Sequence, residues 1–201
     1  MNSRVKGIFD LVLGTCILLA LSPILLGIAI AILVRNGRPV LFQHRRAGLH
    51  GKEFTLYKFR SMTVGTDASG TLLPLEERIT SLGKKLRASS LDELPQIWNV
   101  LMGDMSLVGP RPLLMKYLDL YSPEEARRHE ALPGITGWAQ VNGRNAITWK
   151  QKFELDVWYV DHQNFWLDLK ILVLTVPRVL RRDGVNHSGH VTAPEFQGEQ
   201  K

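Results

Sequence analysis

The chain has 201 residues, 25 Lys and Arg against 19 Asp and Glu, and a net charge of +6. Setting aside one apolar run and a polar tail leaves about 150 residues, the size of a single domain. The lone cysteine, Cys16, excludes an intrachain disulfide and suits a reducing compartment.

Leu11 to Val34 is a run of 24 residues without a charge. As a helix it would be ~36 Å long, against ~30 Å for a hydrocarbon core. Ser22-Pro23 sits in its middle. Pro23 has no N–H for the Leu19 carbonyl and its ring crowds that oxygen, which predicts a sharp kink. Ser22 is placed to offer its hydroxyl one turn back. Arg4 and Lys6 precede the run, and Arg35, Arg38, Arg45 and Arg46 follow it. Basic flanks on both ends disfavour a span, because Lys and Arg stay on the cytoplasmic side. A helix-break-helix that dips into one leaflet, with arms of ~18 Å, puts both ends there. The competing reading is a single span with a tolerated proline. A cleaved signal peptide is disfavoured by the length and by the lack of a small-residue cleavage site.

The net charge is concentrated just after this run. Between Arg35 and Ser61 stand seven basic residues and one acid, Glu53, and the rest of the chain is neutral overall. Such a patch beside a membrane segment attracts lipid headgroups or phosphorylated ligands. Val40 to Arg60 reads as a β-hairpin turning at Gly48–Gly51. Thr63 to Pro74 reads as a loop, Leu75 to Ser89 as helical or irregular, and a helix is expected from Ser90 to about Leu101. Gly103 to Pro112 reads as turns and Leu132 to Asn145 as loop. Pro123 opens a short helix. Trp149, Phe153, Val157 and Trp158 have helical spacing, and Phe165 to Arg182 is a more apolar helix of a length that suits the membrane interface or a core.

The fold class expected is α+β and mainly helical: residues 1–36 as a re-entrant membrane helix, 37–185 as a compact cytosolic catalytic domain with a β-hairpin and interfacial amphipathic helices, and 186–201 as a polar tail.

Ser90-Leu91-Asp92-Glu93 carries the densest chemistry. As structure it is a capping box, Glu93 folding back to the Ser90 amide. As a site, a helix N-terminus binds phosphate and keeps a nearby carboxylate ionised, so that Asp92 is able to attack phosphorus. Two anions repel, so Mg²⁺ and basic side chains are required. Lys58, Arg87, Arg111 between Pro110 and Pro112, and Arg144 among loop glycines are the candidates. There is no D-x-D, no Walker loop, no G-x-G-x-x-G and no C-x-x-C. Aromatics interleave the basic hairpin, but the adjacent membrane segment argues against nucleic acid.

The blocks Ser90–Gln96, Gly103–Pro112 and Pro133–Arg144, with Tyr57–Met62 and Ser22-Pro23, resemble the signature of bacterial monotopic phosphoglycosyl transferases (bacterial sugar transferases). They are most similar to the small undecaprenyl phosphate N,N′-diacetylbacillosamine 1-phosphate transferases. The resemblance implies transfer of a sugar-1-phosphate from a UDP-sugar to undecaprenyl phosphate, with release of UMP. By motif, Asp92 would be the nucleophile and hold Mg²⁺, and Glu93 would act as a base or position the metal. Lys58, Arg87, Arg111, Arg144 and Gln140 would bind phosphate. It further implies a monotopic protein on the cytoplasmic face of the bacterial inner membrane, in contact with inner-membrane lipids and in some cases a homodimer. The alternative is a non-enzymatic anchored scaffold whose basic patch holds anionic lipid.

Overall fold

The computed structural model describes residues 3–67, 69–143, 147–181 and 195–198. Twelve regular elements are described: α1 Ser3–Asn36, β1 Leu41–Ala47, β2 Glu53–Phe59, α2 Leu75–Arg78, α3 Ser81–Ala88, α4 Gln96–Leu101, β3 Ser106–Val108, α5 Pro123–Ala126, β4 Gly134–Thr136, α6 Trp138–Val141, α7 Trp149–His162 and α8 Phe165–Arg181. Short 3₁₀ turns join several of them. The chain is mainly helical with two small sheets, antiparallel β1–β2 and parallel β3–β4.

Helix α1 is the one described helix long and apolar enough to cross a membrane, and little of it is buried. Helix α1 runs from Ser3 to Asn36 with Pro23 inside it. The Ser22 hydroxyl donates to the Leu19 carbonyl at 2.8 Å, the oxygen that Pro23 leaves without an N–H. Both ends of α1 are tied to the rest of the chain. Near the start, Lys6 bonds Asp168 and Tyr159, and Asp10 accepts from Ser106 Oγ at 2.7 Å and from the Leu107 amide at 3.2 Å. Phe9 meets Phe165 edge to face. Near the end, Ile32 is fully buried with Phe59 and Leu86, and Arg60 donates to the carbonyls of Asn36, Gly37 and Arg38. A cation on unpaired C-terminal carbonyls is where the helix dipole favours it.

The hairpin has the expected place, and its register sets Leu41 opposite Phe59 and Ala47 opposite Glu53. The two glycine-rich stretches read as turns and loop hold β3, β4 and α6 instead. Gly109 and Gly134 explain this: a Cβ on Gly109 would meet the Leu132 oxygen at 2.2 Å, and one on Gly134 the Gly109 nitrogen at 2.0 Å. Without side chains the two backbones lie close enough to pair. The main core, Leu56, Val100, Met105, Leu107, Val108, Val141, Tyr159 and Ile171, fills the space between these elements.

Helix α5 opens with a capping box from Ser122 and Glu125, and α7 with one from Thr148 and Gln151. On α8, Asp168 and Ile171 face inward while Trp166, Val173 and Val176 are exposed. The exposed apolar side chains of α8 and of α1, with Trp98 on α4 and Met102 at its end, are what a lipid-facing surface requires. The segment expected to be a polar tail is not polar throughout. Phe196 is buried among Tyr117, Tyr121, Trp149 and Phe153, and Glu195 pairs with Lys116 at 2.6 Å.

Candidate active site

Asp92 and Glu93 lie on a single 3₁₀ turn, Leu91–Glu93, rather than at the start of a long helix. The expected capping box is absent. Ser90 has φ +57°, a left-handed conformation, and its side chain makes no cap hydrogen bond, so the chain reverses sharply between α3 and the turn. Glu93 is therefore free to point away from the Ser90 amide.

It points at two cations. Asn99, fully buried on α4, donates to the Thr55 carbonyl at 2.7 Å and accepts from the Tyr57 amide at 3.1 Å, pinning α4 to β2. This brings Lys58 Nζ to 2.6 Å from Glu93 Oε1. Arg111 grips the same carboxylate with both arms, at 2.5 Å and 3.2 Å. Burial alone would raise the Glu93 carboxyl, but Arg111 and then Lys58 outweigh it and hold the group far below the usual carboxylate range. In return Glu93 raises Arg111. Lys58 is pushed down by burial, which its bond to Glu93 only partly offsets.

Asp92 is the opposite case. It is buried, and among the described residues no side chain donates a hydrogen bond to its carboxylate. Burial first, then the charge of Glu93, push it up against the pull of Lys58, Arg87 and Arg111. The helix terminus expected beside Asp92 is this single 3₁₀ turn, and the carboxylate of Glu93, one residue away, adds to the effect of burial. Arg87, at the end of α3, acts on Asp92 through space, and its Nη1 is 3.8 Å from Met62 Sδ.

Arg111 owes its position to a layer that sequence reasoning missed. The Gly109 amide donates to the Thr136 carbonyl and the Gly134 amide to the Pro110 carbonyl, both at 2.9 Å. Arg128, almost wholly buried, donates to the Arg111 carbonyl at 2.8 Å and pairs with buried Asp156 at 2.7 Å. Its guanidinium lies over the rings of Phe153 and Tyr121, at 5.6 and 5.9 Å. The available signal was Asp156, an acid three positions after Phe153 and next to Val157, at the helical spacing of the apolar stripe of α7. Arg46 and Gln96 were also missed. With Lys58, Arg111, Leu56 and Leu113 they line a cleft.

Four of the expected residues thus come together, Asp92 and Glu93 with Lys58 and Arg111, and Arg87 acts on Asp92. Gln140 is not joined to them. Its amide donates to the Ile135 carbonyl at 2.9 Å and its oxygen is buried without a partner, so its bonding is to the β4–α6 turn. Arg144 lies outside the described residues. No group of three or more potential metal ligands exists among the described residues. One carboxylate without a partner suits Mg²⁺, which is commonly held by one or two carboxylates together with substrate phosphates and water.

The family profile described as "Bacterial sugar transferase" matches residues 1–182, and the chain belongs to that family. It is a transferase. It is 58% identical over 193 residues to the "Uncharacterized sugar transferase EpsL" of Bacillus subtilis (strain 168), covering 96% of each chain. It is 44% identical over 186 residues to the UDP-glucose:undecaprenyl-phosphate glucose-1-phosphate transferase of Xanthomonas campestris pv. campestris, covering 87% of this chain and 38% of that one. It is 40% identical over 196 residues to the undecaprenyl-phosphate galactose phosphotransferase of Salmonella typhimurium, covering 89% of this chain and 41% of that one. The chain therefore spans almost the whole of the first relative and less than half of the other two.

Proposed function

We propose that this protein transfers a sugar-1-phosphate from a UDP-sugar to undecaprenyl phosphate and releases UMP, by a two-step route through Asp92. The observation that carries it is the division between the two adjacent acids. Glu93 is held by three short contacts, whereas Asp92 has a carboxylate oxygen without a partner beside three cations.

In the first step Asp92 attacks the β-phosphorus. The bond from that phosphorus to the bridging oxygen breaks, and UMP leaves with the oxygen. In the second, a phosphate oxygen of the lipid attacks the same phosphorus and expels the Asp92 carboxylate, which is regenerated. A raised carboxyl is the stronger nucleophile once ionised, and the surrounding cations favour that ionised form as the anionic substrate settles. With Lys58 and Arg111 on its two oxygens, Glu93 is engaged as a fixed charge rather than offered as a base. Its ion pairs support a positioning role, aiming Lys58 and Arg111 at the diphosphate. Asp92 and the diphosphate together would hold Mg²⁺, which supplies charge neutralisation between the two anions. The sugar lies within the hexoses and acetamido-hexoses: the named relatives carry glucose and galactose, and the motif resemblance points to UDP-N,N′-diacetylbacillosamine.

The protein sits on the cytoplasmic face of the inner membrane, with α1 leaving on the side where it starts. Lys6 and Ile32 are 26 residues apart, ~39 Å along a straight helix and more than the ~30 Å of a hydrocarbon core. Both contact the same polar domain. A straight span would drag that domain into lipid, where its unpaired polar groups have no partners. A bend at Pro23 avoids this.

The test is UMP release by the purified protein with undecaprenyl phosphate and a panel of UDP-glucose, UDP-galactose, UDP-N-acetylhexosamines and UDP-N,N′-diacetylbacillosamine. Turnover of one donor supports the transferase. No release from any of them favours the anchored scaffold.

A further inference from the structure

Arg46 stands beside the site, and among the described residues its charge is in no ion pair. Arg46 lies opposite Phe54 and Phe42 opposite Lys58, so the alternation of strands puts Arg46 and Lys58 on one face of the hairpin. The 111–114 segment runs along the other edge of β1, where the Ala47 amide donates to the Leu113 carbonyl at 3.2 Å and Arg46 bridges Leu114. Three adjacent segments thus bring Arg46, Lys58 and Arg111 to one cleft, with Gln96 as a further polar wall.

The charges in that cleft do not balance. Lys58 and Arg111 share one carboxylate, Glu93. Arg46 forms no ion pair and no side-chain hydrogen bond among the described residues, and its Nε is buried without an acceptor. Burial and then Arg111 push it down to about 10, with Tyr117 and Glu93 pulling the other way. The acid on the same hairpin, Glu53, pairs with exposed Arg45 at 3.0 Å. A partly buried guanidinium facing a like charge is unfavourable without a counter-charge, and an arriving oxyanion removes that cost. Its planar fork of donors matches phosphate oxygens.

We propose that Arg46 binds a phosphoryl group of a substrate, in an anion subsite that it forms with Lys58, Arg111 and Gln96. Two sources supply such a group, the diphosphate of the UDP-sugar and the lipid phosphate. That choice of sources rests on the function proposed above, whereas the anion subsite itself does not.

The test compares the wild type with Arg46→Gln and Arg46→Lys. Each is melted in metal-free buffer against inorganic pyrophosphate. The wild type is stabilised. Arg46→Gln needs at least tenfold more pyrophosphate for the same shift, Arg46→Lys falls between them, and Arg46→Gln without ligand melts at or above the wild-type temperature. Equal pyrophosphate titrations, no stabilisation of the wild type, or a ligand-free Arg46→Gln melt several degrees lower each overturn the proposal, the last by making Arg46 a structural residue. Initial rates then separate the sources. A tenfold rise in KM for the UDP-sugar alone assigns the donor diphosphate, and a rise for undecaprenyl phosphate alone assigns the acceptor. Unchanged values for both, in a protein that turns over, refute a substrate role for Arg46 and leave the transferase reading intact. A wild type that releases no UMP refutes the transferase reading, and the pyrophosphate titration still decides the subsite.

Discussion

Replacing Asp92 with Asn tests both the chemistry and the electrostatics of the acidic pair. The side chain keeps its shape and loses the anionic oxygen. Glu93 cannot take over, because Lys58 and Arg111 occupy its oxygens and hold it far below the usual carboxylate range. The expected loss is about 10⁴-fold in kcat, or ~5.4 kcal/mol of barrier. Stability should move the other way. The Asp92 carboxyl is raised in the folded protein by burial and by Glu93, so its ionisation opposes folding as pH climbs through the raised value. Asn removes that penalty, and the variant should melt at or above the wild-type temperature at pH 7. The wild-type rate should also fall on the acid side, as protons fill the nucleophile. The assay is UMP release with the active donor, paired with a thermal melt and with intact-mass analysis after a quench in the absence of lipid. Wild type should carry the added phosphosugar and Asp92→Asn should not. Activity within tenfold of wild type, less than ~1.4 kcal/mol of barrier, would show that Asp92 is not the nucleophile.

Glu93→Gln leaves Lys58 and Arg111 without their shared counter-charge. With these side chains only partly buried, the expected cost is about 1–3 kcal/mol, with a fall in turnover of at least ~100-fold as the cations lose their aim. Because the folded Glu93 carboxyl is lowered, its contribution is complete above the usual value of 4.5 and fades as pH falls below it, so melts of the two proteins should converge in acid. EDTA should abolish UMP release and Mg²⁺ restore it, and full activity in metal-free buffer would mean that the cations of the chain suffice. Phe196→Ala empties the centre of an aromatic cluster and should cost about 3 kcal/mol, seen as a melt lower by roughly 6–12 °C; an unchanged melt would mean that the C-terminal contact is not kept in solution. In a Cys16→Ser background, cysteines at Ser3 and, separately, at Asn36 should both be shielded from an impermeant reagent applied at the periplasmic face, and labelling of position 3 alone would establish a span.

The sequence made some elements legible through local signals. Strand-like residues on either side of the Gly48–Gly51 turn announced the hairpin, Pro123 announced α5, helical spacing announced α7, and an apolar run announced α8. The acidic pair and its cations were legible as well, through clustering of charge and motif. What escaped was everything that depends on distant partners. The three-residue strands β3 and β4 pair through bare glycine backbone and leave no alternation to read. Arg128 and Asp156 are 28 positions apart and meet only in the fold. Phe196 was one aromatic residue in a polar stretch until Tyr117, Trp149 and Phe153 surrounded it. The capping-box reading of Ser90–Glu93 failed for a related reason, since two cations from β2 and from the 109–112 segment compete with a local amide for Glu93.

That competition is the central device of the site. Two carboxylates one residue apart in a flexible chain would titrate alike. A left-handed Ser90 turns them in different directions, and the fold then treats them unequally: Glu93 receives two cations and three contacts, and Asp92 receives burial and a negative neighbour. Adjacent acids driven to opposite sides of their common value are suited to opposite tasks, one a fixed charge that organises basic side chains, the other a group that gives and takes a phosphoryl bond. The division explains why Arg128 and Asp156 are buried behind Arg111 at a desolvation cost. If Arg111 slackened, Glu93 would lose its stronger partner and the two acids would drift back toward equivalence.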